Sequence, residues 1–179
     1  MFVFGKMINV KETKKEFLMF LLEKPIKKVL DLGCGKGLIS RFFTKKAKVI
    51  GIDTKKIIED IENFEFRKGD IRQENFGKEN DLIIISLILH IFDKNEAQKI
   101  IERMKQATSD SGYNLLICLS DKDNLAKKNQ KKFYPNLQEL LEIYKDWDLV
   151  KETHGITGTE DHRDLGPHQH NLIFVLFKK

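Results

Sequence analysis

Short apolar runs separated by polar segments give this chain a regular pattern of predicted strands. The run at 81–89 is almost wholly apolar, which is typical of a central parallel strand covered on both faces. The other runs are shorter, and several of them end at an aspartate or a glycine. The predicted strands span 28–32, 48–52, 64–67, 81–89, 113–119, 148–153 and 171–177.

Between these runs lie segments whose apolar residues recur at helical spacing. In the clearest one, Ala97, Ile100 and Met104 fall on one face. The predicted helices span 11–23, 38–46, 55–62, 94–108 and 137–144. Because strands and helices alternate, we expect an α/β fold of the doubly wound, Rossmann-like kind. It would have a seven-stranded, mostly parallel sheet with an antiparallel last strand, and helices on both faces.

The same pattern predicts the domain organisation. Residues 28–179 are expected to form the doubly wound domain, and residues 1–27 an N-terminal helical segment that acts as a lid. Phe2, Phe4 and Phe17 could close such a lid over a substrate and exclude water. Ordinary packing of these rings in the core is the competing interpretation.

Composition restricts the class of protein. The chain has 179 residues, 41% of them hydrophobic and 33% charged, as expected of a folded domain. No apolar run has the length of a membrane span and the N-terminus lacks the pattern of a secretory signal, so a cytoplasmic protein without a membrane partner is expected. The two cysteines, Cys34 and Cys118, form no C-x-x-C pair. The net charge of +5 comes from scattered lysines, which favours a solvated surface over nucleic-acid binding.

Candidate ligand-binding residues lie at the ends of the predicted strands. The stretch VLDLGCGKG places Asp31 at the end of the first strand, with Gly33, Gly35 and Gly37 directly after it. Glycines allow a backbone to approach a ligand closely, and ligands of parallel sheets bind at the carboxyl ends of strands. Further along the chain, the strand ends carry Asp53 with Thr54, Asp70 with Ile71, and Ser86.

The glycine spacing argues against two common nucleotide sites. A dinucleotide fingerprint needs its third glycine where Leu38 stands, and Asp31 would repel a pyrophosphate. A P-loop is excluded because GCGKG lacks both the glycine spacing and the Lys-Ser/Thr pair. A cationic ligand without phosphate fits better. S-adenosylmethionine is such a ligand, with a sulfonium, an ammonium, a ribose and an adenine.

Each part of S-adenosylmethionine has a candidate partner. Asp31 is suited to neutralise the ammonium, directly or through water, and Asp53 to accept both ribose hydroxyl protons. Asp70 is suited to accept from the adenine amino group while the backbone of Ile71 pairs with the ring. Helix capping by Asp31, and ordinary strand-end positions for Asp53 and Asp70, are the structural alternatives. The remaining cofactor-binding candidates are Gly33, Cys34, Gly35, Gly37, Thr54 and Ser86.

The motifs VLDLGCGKG, VIGID, KGDI and DLIIISLILHIF, in this order, resemble the class I S-adenosylmethionine-dependent methyltransferase family over 28–119. The stretches SGYNLLICLSD, FYPNLQELLEIYKDWDLVKE and EDHRD make the C-terminal half similar to the tellurite-resistance methyltransferases. That family methylates oxyanions such as tellurite and selenite, so the resemblance implies a small-molecule acceptor.

The resemblance also implies acceptor-side residues. His162 and Arg163 match the family's H-R pair and would face the acceptor, Arg163 holding an oxyanion and His162 donating a hydrogen bond or collecting a proton. Where the family has a third basic residue this chain has His168 or His170, so that charge depends on pH. His170 is therefore the third catalytic candidate. His90, after the fourth predicted strand, is equally consistent with core packing and with function.

Other functions remain open at this point. The segment 86–89 reads SLIL and lacks the D/N-P-P-Y/F element of enzymes that methylate amino groups, and neither cysteine is placed for methylation of base carbons. An RNA methyltransferase and a non-catalytic cofactor-binding subunit are the alternatives. His168 and His170 form an H-Q-H motif that could bind a metal, but methyl transfer needs none and no metal is expected.

Overall fold

The computed structural model describes residues 6–162 and 166–179. The helices of this part of the chain are α1 (Val10–Leu22), α2 (Lys94–Ala107), α3 (Asn124–Lys128) and α4 (Leu137–Ile143). The strands are β1 (Lys28–Leu32), β2 (Lys48–Asp53), β3 (Phe64–Lys68), β4 (Asn80–Ser86), β5 (Thr108–Leu119), β6 (Asp148–Ile156), β7 (Glu160–His162), β8 (Gly166–His168) and β9 (Asn171–Lys178). Short 3₁₀ turns lie at Ser40–Phe43 and Leu89–Ile91.

Seven strands form one sheet in the order β3-β2-β1-β4-β5-β9-β6. β1 to β5 pair in parallel, whereas β9 is antiparallel to both of its neighbours. The predicted fold class is therefore confirmed. Because β1 has β2 on one side and β4 on the other, the direction of the crossovers reverses beside β1. A ligand crevice is expected at the carboxyl end of this strand.

The two faces of the sheet contribute to two separate cores. In β4, Ile83 and Ile85 belong to the core that includes α2, while Leu82 and Ile84 belong to the core that includes α1. All four side chains are fully buried. This two-sided burial explains why the run is apolar throughout instead of alternating.

Helix α1 packs on the sheet through its apolar face. Phe17 is 1% exposed, and its ring centroid lies 5.9 Å from that of Phe174 in β9. Leu21 of the same helix is also fully buried. Phe2 and Phe4, the other aromatic residues of the predicted lid, lie outside the described residues. α1 is thus an integral layer of the domain core.

The segment before α1 pairs with the outer edge of the sheet. The Ile8 N–H donates to the Ile156 carbonyl at 2.9 Å, and the Ile156 N–H donates to the Lys6 carbonyl at 2.9 Å. A Cβ atom on Gly155 would lie only 2.1 Å from the Lys6 carbonyl oxygen. The absence of a side chain at Gly155 therefore permits this close pairing.

Two of the predicted helices are wrong. The segment 38–46 forms only a 3₁₀ turn, in which buried Ser40 turns down towards Asp31. The segment 55–62 has no helix, because buried Ile58 packs against the glycine loop instead. A Cβ atom on Gly37 would lie 2.5 Å from Ile58 Cδ1.

Several predicted boundaries also change. The fourth strand ends at Ser86 and not at 89, because Leu87 turns the chain with φ of 54°. β5 begins at Thr108, so it includes the predicted turn before 113. The segment between β6 and β9 contains the hairpin β7–β8, and helix α3 was not predicted. No helix among the described residues is long and apolar enough to cross a bilayer.

Phe17→Ala should lower the free energy of unfolding by about 3–5 kcal/mol, because it leaves a cavity between α1 and β9. Urea denaturation measures this loss. Met19→Ala is the matched control, since Met19 lies on the same helix but is 56% exposed; it should change stability by about 0.5 kcal/mol or less. Equal effects of the two substitutions would show that α1 does not pack as described.

Candidate functional site

A cavity of 230 Å³ opens at the carboxyl ends of β1 and β4, where the direction of the crossovers reverses. The glycine loop after β1 forms one wall, Ser86 and Leu87 form another, and Lys14 reaches it from α1. Its lining includes five of the predicted cofactor-binding residues: Asp31, Gly33, Cys34, Gly35 and Ser86. The other five lie outside the lining: Gly37, Asp53, Thr54, Asp70 and Ile71.

The glycine loop has a backbone conformation that side chains disfavour. Gly33, Gly35 and Gly37 have φ of 68°, 51° and 62°, all in the left-handed region. A Cβ atom on Gly33 would lie 2.2 Å from Ile88 Cδ1, so this position also needs the space. Beside Gly35 the nearest heavy atom to an added Cβ would be 4.0 Å away, at Ile57. Gly35 therefore leaves backbone open to a ligand.

Asp31 is a buried carboxylate with a single side-chain hydrogen bond from the residues that the structure describes. It is 4% exposed, and the Ser40 hydroxyl donates to its Oδ2 at 2.6 Å. Burial raises the pKa of Asp31 to about 6; the Ser40 bond opposes this rise and the nearby charge of Asp53 adds to it. Ionised Asp31 is thus poorly compensated, and a cation in the cavity would stabilise it.

Asp53 fastens the glycine loop to the end of β2. Its Oδ2 accepts from the Gly35 N–H at 2.9 Å, and its Oδ1 accepts from the Lys55 N–H at 3.2 Å. The Thr54 hydroxyl lies 3.4 Å from the same Oδ1. These bonds fix the orientation of the carboxylate at the mouth of the crevice, next to the exposed backbone of the loop.

The side chain of Cys34 packs against β2 of the sheet. A Cβ atom on Gly51 of β2 would lie 2.8 Å from Cys34 Sγ. Burial raises the pKa of the Cys34 thiol to about 12, with further contributions from Asp31 and Asp53. The thiol therefore stays neutral, and only the backbone of Cys34 is suited to bind a ligand.

Asp70 and Ile71 lie beyond β3, on the far side of Asp53. The Arg72 guanidinium bonds Asp70 at 2.6 Å and also pairs with Glu96 at 3.1 Å. The hydrogen bonds from Arg72 hold the pKa of Asp70 below its usual range. Ile71 is 3% exposed, so its side chain belongs to the core and only its backbone could bind a ligand.

The acceptor-side candidates are only partly described. His162 ends β7, its side chain is outside the described part, and Arg163 lies outside the described residues altogether. His170 Nδ1 lies 3.0 Å from Asp123 Oδ2. Among the residues that the structure describes, no group of three or more His, Cys, Asp or Glu side chains is arranged to hold a metal ion.

Besides Lys36, Leu38 and Ile39 of the cavity lining, sequence reasoning missed three further residues of the site. Lys14 lines the cavity from α1, and burial lowers its pKa while Glu160 opposes this change. Ser40 bonds Asp31, and Leu87 lines the cavity with a left-handed backbone. Lys14 and Ser40 belong to none of the motifs, and Leu87 lies within DLIIISLILHIF as an apolar position that carries no ligand signal. Only the tertiary fold brings them to the glycine loop.

Fold and site together are those of a doubly wound α/β protein with a cavity at the switch point that is lined by a glycine loop. The sequence matches the model of the family described as "Tellurite resistance protein TehB" over residues 3–166. The chain therefore belongs to this family.

Individual relatives agree with this assignment. The curated Haemophilus influenzae protein named "Probable S-adenosyl-L-methionine-dependent methyltransferase TehB" is 27% identical over 135 residues, which cover 69% of this chain and 47% of that protein. The chain thus spans about half the length of this curated relative.

Solved structures share the fold. TehB from Haemophilus influenzae has a TM-score of 0.73 at 22% identity, covering 92% of this chain and 62% of that one. The N-methyltransferase NodS from Bradyrhizobium japonicum, solved in complex with S-adenosyl-L-homocysteine, has a TM-score of 0.72 at 14% identity, covering 96% of this chain and 88% of that one.

Asp31→Asn should remove a pH dependence from the stability of the ligand-free protein. Because the folded-state pKa is raised, wild-type Asp31 contributes stability below its unfolded pKa and loses it as the pH rises through about 6. Between acid and neutral pH, the free energy of unfolding of the variant should therefore rise relative to that of the wild type, by up to about 3 kcal/mol.

Urea denaturation at several pH values measures this difference. Ser40→Ala, which leaves Asp31 without its hydroxyl donor, should steepen the loss of stability with pH. Parallel stability curves for the wild type and Asp31→Asn would contradict the burial of an ionisable carboxylate at this site.

Proposed function

We propose that the chain is an S-adenosylmethionine-dependent methyltransferase whose acceptor is a small oxyanion of the tellurite or selenite class. The observation that carries this proposal is the buried, weakly compensated carboxylate of Asp31 beside an open glycine backbone. Such a site favours a cationic ligand and disfavours a diphosphate. The name of the Haemophilus relative and the ligand of NodS support the same cofactor.

The residues present fit this cofactor. Asp31 is suited to the ammonium group, and Asp53, already oriented by Gly35, to the two ribose hydroxyls. Asp70 keeps acceptor capacity beside Arg72 for the adenine amino group. The Ile71 N–H has no hydrogen-bond partner among the described residues and is suited to a ring nitrogen.

Bound in this cavity, the sulfonium would supply an activated methyl group for in-line displacement. The protein then needs mainly to orient the acceptor and to exclude water. α1 already covers one side of the cavity through Lys14 and is packed into the core, so the segment 1–27 would act as a fixed cover of the site. On the acceptor side, His162, Arg163 and His170 would bind the oxyanion, Arg163 through its fork of donors.

Asp53→Ala should weaken binding of S-adenosylmethionine by about ten- to a hundredfold, because hydrogen bonds to a charged group contribute about 1.5–3 kcal/mol. Isothermal titration calorimetry measures the affinity, with NAD as a ligand that should not bind. The matched control is Asp60→Ala, since exposed Asp60 pairs only with Lys56 in a surface ion pair. Unchanged affinity in Asp53→Ala would refute its role.

Arg163→Ala should leave the Kd for S-adenosylmethionine unchanged and lower kcat/KM on tellurite or selenite by about tenfold or more. Formation of S-adenosylhomocysteine measures turnover. Arg67→Ala is the control, because Arg67 pairs with Glu65 on the outer strand β3.

The same assay with thiols and RNA decides the acceptor class. Transfer to RNA alone would overturn the oxyanion proposal, and wild-type turnover in Arg163→Ala would remove this residue from the site.

A further inference from the structure

A cluster of titratable side chains lies at the same edge of the sheet as the cavity. Asp123 follows β5. His168 is the last residue of β8, and His170 comes directly before β9. The Nε2 atoms of the two imidazoles are 3.1 Å apart, and His170 Nδ1 is 3.0 Å from Asp123 Oδ2. The three groups thus form one continuous hydrogen-bonded chain.

Asp123 is the fixed end of this chain. It is 1% exposed. The Leu125 N–H donates to its Oδ1 at 2.8 Å, and the Asn171 N–H donates to its Oδ2 at 2.8 Å. Two backbone donors therefore hold the carboxylate in place. His170 is therefore presented to a buried anion.

The directions of the hydrogen bonds determine how many protons the cluster holds. His168 Nδ1 lies 2.7 Å from the Gly166 carbonyl, which can only accept, so this nitrogen carries a hydrogen. His170 Nδ1 likewise carries a hydrogen towards ionised Asp123. Neutral rings in these tautomers would direct two lone pairs at each other across 3.1 Å. The 3.1 Å contact therefore corresponds to the cluster after it has taken up one additional proton between the two Nε2 atoms, and the cluster without that proton is the form that could accept one.

The number of protons in the cluster stays the same if the hydrogen on His170 Nδ1 moves to Asp123. His170 would then accept at Nδ1 and donate from Nε2 to His168, with the same total number of protons. The additional proton therefore belongs to the cluster of three groups and not to one atom.

The titratable side chains around the cluster do not compete with it for the additional proton. Burial lowers the pKa of His90, which Asp123 raises and His170 lowers further, so His90 stays neutral. The His90 ring lies 6.0 Å from that of Tyr134, whose pKa is raised by burial. Glu160 pairs with His168 across the β7–β8 hairpin and adds a negative charge on that side.

We propose that Asp123, His168 and His170 form a proton-binding triad that receives the proton released when the acceptor is methylated. This proposal rests on the proposed function and specifies its substrate class: an oxyanion that still carries a proton, such as hydrogen selenite. His170, which is 17% exposed at its side chain, receives the proton, and Asp123 and His168 are positioning residues.

The reaction balances without another reactant. The selenium lone pair of hydrogen selenite forms the new Se–C bond, and selenium(IV) formally becomes selenium(VI). The S–C bond breaks, and its electron pair stays on sulfur, which changes from a sulfonium to a neutral thioether. The O–H proton passes to the triad. The products are methylselenonate, S-adenosylhomocysteine and one bound proton, so mass and charge are conserved.

Nuclear magnetic resonance of ¹⁵N-histidine-labelled protein tests the shared proton without any turnover. As the pH falls from about 9 to about 5, the two rings should take up one proton together, with coupled changes of their Nε2 signals. In His168→Gln the His170 signals should change independently. Two neutral rings throughout, or two independent titrations in the wild type, would overturn the proposal.

The pH dependence of kcat/KM on hydrogen selenite tests the proton acceptor. The wild type should lose activity on the acid side, where the triad is already protonated. His168→Gln and Asp123→Asn should lower kcat by about tenfold or more and displace that acid limb. His154→Gln is the control, because exposed His154 pairs with Glu152 outside the triad. An acid limb that stays in place in His168→Gln contradicts the proposal.

Two outcomes separate this inference from the proposed function. If the wild type binds S-adenosylmethionine but methylates no oxyanion, the acceptor assignment fails, and with it the role of the triad in that step. The labelled imidazoles still decide whether the shared proton exists. If Asp123→Asn does not fold, His168→Gln and the wild-type spectra carry the test.

Discussion

The site depends on a carboxylate that the sheet prevents from reaching solvent. Asp31 lies in β1, in register with Gly51 of β2 and Ile84 of β4, so its backbone cannot move without breaking two ladders. Ser40 donates a side-chain hydrogen bond to it. The sheet that forms the core thus also buries a negative charge with little compensation, and a cationic ligand would stabilise that charge.

The glycine loop gives the cavity beside the Asp31 carboxylate a defined shape. Its left-handed residues expose backbone where side chains would otherwise stand, and Asp53 ties the loop to the neighbouring strand through Gly35. The two carboxylates act differently. Buried Asp31 would favour a cationic ligand, whereas Asp53, held in position by backbone donors, would favour hydroxyl groups. Selectivity therefore comes from the ends of adjacent strands and not from a single motif.

The strands and their ligand-facing ends could be predicted because buried parallel strands leave a continuous apolar signal. The segments 38–46 and 55–62 could not, since periodicity does not reveal which surface an apolar side chain will meet; Ile58 packs against Gly37, not on a helix face. The bond between Asp123 and His170 joins residues 47 positions apart, and neither local spacing nor composition indicates such a pair.

Strand β9 lies between β5 and β6, although it comes after both in the chain. Until residues 171–178 have left the ribosome, β5 has an open edge and Phe17 lacks its partner Phe174. The earlier strands can associate during synthesis, but the sheet closes only when the final segment inserts. Between the synthesis of β5 and that of β9, the nascent chain therefore exposes an apolar edge, the kind of surface that chaperones shield.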